Sequence, residues 1–125
     1  MGKIIGGIGT SHIPTIMHAF DSKTNVGPYW EAFNEGIKPA RQWINEKKPD
    51  VCIVVYNDHG SNFSMKNVIP FGIGLAPEYL PADEGYGRRP VPTFKGDPSL
   101  SAHIAEHFNE KEFDVAFSFE LDVDH

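Results

Sequence analysis

Six consecutive residues, Val51-Cys52-Ile53-Val54-Val55-Tyr56, constrain this chain most. The run is apolar throughout and rich in β-branched side chains. It lacks the alternation of a half-exposed strand, so it predicts a strand covered on both faces, the kind found in parallel α/β sheets. It leads directly into Asn57-Asp58-His59-Gly60, a polar turn at the strand's carboxyl end.

The remaining pattern fits the same architecture. Lys3 to Ile8 predicts a first short strand, with Gly6, Gly7 and Gly9 letting other backbone come close. Pro14 holds Ile13 extended, which puts His12 on a loop just past that strand. From Pro28 the apolar residues Trp30, Phe33, Ile37 and Ile44 recur at helical spacing, with Arg41 on the same stripe. Pro39 interrupts this stripe and predicts a kink or two short helices, and Lys47-Lys48-Pro49 ends it. Val68 to Leu75 predicts a further strand, and Ala76 to Gly96 a long loop rich in proline and glycine. A loop of that length in a compact domain usually serves function or a subunit contact. Asp97-Pro98 opens a helix, with aspartate as N-cap and proline at the first helical position, and Leu100, Ile104 and Phe108 mark its apolar side. Phe113 to Phe119 predicts a last strand leading into Leu121-Asp122-Val123-Asp124-His125. Strands alternating with helices give an α/β class, three-layered, with a largely parallel or mixed central sheet. A histidine directly after a strand is an odd final residue, so the sequence reads as a fragment of a larger domain.

Composition narrows the function classes. A net charge of −6, with basic residues no more clustered than Lys47-Lys48 and Arg88-Arg89, argues against nucleic-acid binding. No apolar run approaches the ~18 residues of a membrane span. The single cysteine, Cys52, allows no internal disulfide and is expected to be a buried, inert thiol. The protein reads as cytoplasmic.

Among the six histidines, His12, His59 and His125 each follow a predicted strand. In an open α/β sheet ligands bind beyond the carboxyl ends of the strands. Parallel neighbouring strands would therefore bring these three together, an arrangement suited to imidazole ligands for iron or zinc. His103 and His107 are spaced i, i+4 on the predicted helix but lack an acidic partner between them and read as surface residues. Asn57 and Asp58 have two readings: hydrogen bonding that orients His59, or an Asx-type turn after the strand. Asp58-His59 and Asp124-His125 also resemble pieces of a dinuclear metallophosphatase, although Thr10 stands where its first aspartate would be. A non-catalytic fragment or binding module without a complete metal site is the other alternative. A serine hydrolase is disfavoured, because no Gly-x-Ser-x-Gly elbow exists.

Five stretches together resemble the class III extradiol dioxygenase family, and within it the β (catalytic) subunit of protocatechuate 4,5-dioxygenase and related gallate dioxygenases. They are Gly9-Thr10-Ser11-His12-Ile13-Pro14, Val55-Tyr56-Asn57-Asp58-His59, Pro81 to Pro92, Lys95-Gly96-Asp97-Pro98 and Asp122-Val123-Asp124-His125. The resemblance implies extradiol (meta) cleavage of a catechol-type aromatic acid such as protocatechuate, using O₂ at a mononuclear non-haem Fe(II) site. It implies His12 and His59 as iron ligands and His125 as a catalytic residue near the substrate hydroxyls. The family's third ligand, a glutamate, and a further histidine lie later in its members and have no counterpart in these residues. Residues 1–125 are then the N-terminal part of one catalytic domain. The resemblance also implies a small α subunit or a homo-oligomer as partner, with the loop Ala76–Gly96 facing it.

Overall fold

The structure, a computed structural model, describes residues 2–123. His125, expected at the site, lies outside the described residues. The backbone divides into two compact units, Met1–Val55 and Tyr56–His125.

The first unit is built from two helices. Helix α1 (Pro14–Asp21) starts with proline at its first position and buries Ile16 and Ala19. Helix α2 (Pro28–Lys47) likewise starts on proline and ends on Lys48 in the left-handed conformation. It is one continuous helix of 20 residues with Pro39 inside it, not two short ones. Proline removes one amide donor and crowds the carbonyl four residues earlier. The turn around it also carries an ion pair between Lys38 and Glu35. The half-buried residues of α2 are Trp30, Phe33, Asn34, Ile37, Ala40 and Trp43, so the stripe ends on Trp43 while Ile44 is exposed. Phe20 of α1 meets Trp30 edge-on at 6.1 Å and Phe33 at 6.0 Å, an aromatic cluster that joins the two helices.

Neither strand predicted in this unit forms. Residues 3–8 and 51–55 carry no ladder, and Ile4, Ile53, Val54 and Val55 are exposed. A strand exists only where a neighbour takes its N–H and C=O groups. β-propensity supplies the side chains for a covered strand but not the neighbour. Cys52 is correspondingly exposed rather than buried.

The second unit carries the strands. β1 (Phe71–Gly74) pairs in parallel with β4 (Val115–Ser118), in register Phe71 with Val115 through Gly74 with Ser118. Between them in sequence runs helix α3 (Pro98–Glu110), which packs on both strands and buries Ala105. Phe113, in the connection from α3 to β4, stacks against Phe71 and Phe108 with ring centroids 6.0 and 5.6 Å apart. The helix begins as its sequence predicts: the Asp97 carboxylate accepts from the Leu100 N–H at 3.0 Å.

The stretch expected as one long loop holds regular structure. β2 (Glu78–Pro81) pairs antiparallel with β3 (Phe94–Lys95) and in parallel with β5 (Asp122–Val123), in the order β3-β2-β5. Gly96 continues the β3 side, donating to the Pro77 carbonyl at 2.8 Å. A Cβ at Gly96 would sit 2.1 Å from the Ala76 carbonyl oxygen, so no larger residue fits that approach. The class is α/β with mixed strand pairing, as the sequence implied, and among the described residues its strands lie in a two-stranded and a three-stranded sheet.

Candidate metal centre

His59 sits in a loop organised by its neighbour. The Asp58 carboxylate accepts from the Gly60 N–H at 2.9 Å, the Asn62 N–H at 3.0 Å, the Phe63 N–H at 3.1 Å and the Asn62 side chain at 2.8 Å. Burial works to raise the Asp58 pKa, but these bonds, led by the Asn62 side chain, outweigh it and hold the carboxyl below its ordinary value. Asp58 thus holds the loop that follows it from Gly60 to Phe63, while Asn57 is exposed.

Asn62 also ties this loop to β5. Its side-chain oxygen accepts from the Asp122 N–H at 2.7 Å, and its NH₂ donates to the Asp122 carbonyl at 2.8 Å. With its bond to Asp58, both amide hydrogens and the carbonyl of Asn62 are used. The Tyr56 hydroxyl donates to the same Asp122 carbonyl at 3.4 Å.

A second loop meets the first. Asp83 accepts from the N–H groups of Gly85 and Gly87, both at 2.9 Å, in a turn where Gly85 has φ of +96°. Arg88 then anchors the turn to β2 and β5, donating to the Pro81 carbonyl at 3.0 Å and to Asp122 Oδ2 at 2.7 Å. Glu84 stands inside this turn, and its carboxylate Oε1 pairs with His59 Nδ1. The Glu84 side chain is 2% exposed and that of His59 27%.

His12 is half-buried in the loop before α1. It belongs to the first unit and His59 to the second. Among the described residues, no three His, Cys, Asp or Glu side chains form a group able to hold a metal ion. The donor chemistry at His59 fits a metal-ligand role. A neutral imidazole that donates through Nδ1 to a carboxylate keeps its lone pair on Nε2. His103 and His107 are exposed on α3, and His107 pairs with Glu110 at 3.1 Å. Glu84 and Asn62 are site features that sequence reasoning did not single out. Only Glu84 left a signal, as an acidic residue in a matched Asp-Glu-Gly turn. No helix among the described residues is long and apolar enough to cross a membrane.

Residues 6–125 match the family of catalytic LigB subunits of aromatic ring-opening dioxygenases, and the chain belongs to that family. It is also similar to a 2,3-dihydroxyphenylpropionate/2,3-dihydroxicinnamic acid 1,2-dioxygenase of Mycolicibacterium smegmatis, with 28% identity over 95 residues. That similarity covers 76% of this chain and 29% of the relative, so the chain spans less than a third of the relative's length.

Proposed function

We propose that this protein carries out extradiol cleavage of a catechol-type aromatic acid, protocatechuate or a close relative such as gallate, with O₂ at a mononuclear Fe(II). The observation that supports this reading is the family match across residues 6–125, within which both histidine stretches, Gly9 to Pro14 and Val55 to His59, fall. In this reading His12 and His59 are metal ligands and His125 acts at the substrate hydroxyls. The relative named above acts on a different dihydroxylated ring, so the diol is the shared feature and the ring substituent the variable one.

Fe(II), when bound, would bring a catecholate and O₂ together on open coordination positions and conduct charge between them. The chain's own residues do the rest. His12 and His59 supply uncharged nitrogen donors, which leave the negative charge of the site to a carboxylate and the substrate. Asp58 and Asn62 hold the His59 loop in one shape, so that the ligand is presented without an ordering cost. His125 would take or return a proton at a substrate oxygen. Assembly with a small partner subunit or as a homo-oligomer, in the cytoplasm, belongs to the same reading.

The test is O₂ uptake by protein loaded anaerobically with Fe(II) and offered protocatechuate, gallate and 2,3-dihydroxyphenylpropionate in turn. A ring-opened product with one O₂ consumed per diol is expected, a semialdehyde where the ring carbon cleaved beside the diol bears hydrogen, and its loss in His12→Ala and His59→Ala. Full turnover in His12→Ala would sink the ligand assignment. Hydrolysis of a phosphate ester without O₂ would replace the whole reading with a phosphatase.

A further inference from the structure

Glu84 carries the inference. Its side chain is almost wholly buried, where an ionised carboxylate is costly without a strong partner, and its Oε1 pairs with His59 Nδ1. Both ends of this contact are separately braced. On one side Asp58 gathers the backbone from Gly60 to Phe63 and the Asn62 amide. On the other, Asp83 closes the turn over Gly85 and Gly87, while Arg88 pins it to Pro81 and Asp122. A surface ion pair between flexible side chains is built with no such support and contributes little. This one is held like a fixed orienting contact.

The imidazole has two nitrogens, and only the one without a proton can bind a metal. A carboxylate on Nδ1 keeps the proton there, fixes the ring's rotation and raises the basicity of Nε2. We propose that Glu84 is a positioning residue: through His59 Nδ1 it selects the tautomer and orientation in which His59 offers Nε2 to the metal. The inference rests on the reading of His59 as a metal ligand. It assigns a role to Glu84 within the matched Asp-Glu-Gly turn of the Pro81–Pro92 stretch.

The experiment has two readouts on the whole protein. The first is the ¹⁵N spectrum of ring-labelled histidines in metal-free protein. The second is Fe(II) affinity, measured anaerobically with the metal alone. In the wild type the neutral His59 ring is expected to carry its proton on Nδ1. Glu84→Ala is expected to shift the proton to Nε2 and weaken Fe(II) binding 10–100-fold, the usual cost of losing such a partner. Glu84→Gln keeps an acceptor of the same shape, so it should retain the tautomer and lose less affinity. If Glu84→Ala does not fold, the wild-type spectrum and the glutamine variant decide the matter. A wild-type proton on Nε2 overturns the proposal. So does Fe(II) binding within twofold of wild type in Glu84→Ala while His59→Ala loses it; that result spares the ligand assignment. Unchanged Fe(II) binding in His59→Ala removes the ligand assignment itself, and the proposal with it.

Discussion

The side-chain amide of Asn62 pairs with both backbone groups of Asp122, accepting from its N–H at 2.7 Å and donating to its carbonyl at 2.8 Å. One side chain thereby takes the place of a neighbouring strand's backbone across 60 residues of sequence. Its remaining hydrogen goes to Asp58, so the histidine loop and β5 share a single connector.

Asn62→Ala removes these bonds together and leaves the Asp122 N–H without its Asn62 acceptor. A loss of about 2–3 kcal/mol is expected, since each half-buried polar group left unpaired costs ~1 kcal/mol or more. Asn62→Asp should be at least as damaging, because it sets a second carboxylate against Asp58 and the Asp122 carbonyl. Adding Asp58→Asn should recover part of that loss by restoring a donor. Urea denaturation of wild type, Asn62→Asp, Asp58→Asn and the double variant measures the coupling, and strict additivity would refute the shared-connector account.

Gly96→Ala is expected to destabilise by about 2–3 kcal/mol, the range for forced overpacking, because its Cβ would meet the rigid Ala76 carbonyl. Gly7→Ala, where a Cβ meets nothing within 4 Å, should stay within about 0.5 kcal/mol of wild type. Thermal or chemical melts of the pair would separate steric need from general glycine effects.

Asp97→Ala should cost about 1 kcal/mol by uncapping α3, while Asp97→Ser, which keeps an acceptor for the Leu100 N–H, should cost a few tenths. Equal losses in the two denaturation curves would mean that the cap bond is not the source.

His107→Ala should leave Fe(II) affinity unchanged, since His107 lies exposed on α3 with Glu110. The same anaerobic titration that loses binding in His59→Ala checks this. A drop in both would point to metal uptake at surface imidazoles rather than at one centre.

What could be read in the sequence was what is decided locally. The Asp97-Pro98 start of α3 needs only its own first turn, and the period of α2 needs only side chains three and four apart. Val51–Val55 shows the limit. Its composition predicts a covered strand, yet pairing depends on a neighbour that no local pattern specifies, and the segment carries no ladder and is exposed. The stretch from Ala76 to Gly96 failed for the opposite reason: prolines and glycines read as loop, but Pro81 ends β2 and Gly96 allows a close backbone approach. At the site, the family motifs pointed to His59, and nothing local could point to Asn62, whose role rests on a residue 60 positions away. Glu84 lay within a matched stretch, but its pairing with His59 spans 25 positions and needed the fold.

Asn62 has one further effect, on self-association. Among the described residues β5 lies at the end of the order β3-β2-β5, and the unpaired rim of a sheet invites strands from other molecules. Here the carbonyl of Val123 is taken by Ala82 at 2.9 Å, and both backbone groups of Asp122 are already engaged by an amide of the same chain. A strand arriving from another molecule must first displace Asn62, so the connector that steadies the histidine loop also closes this rim against aggregation.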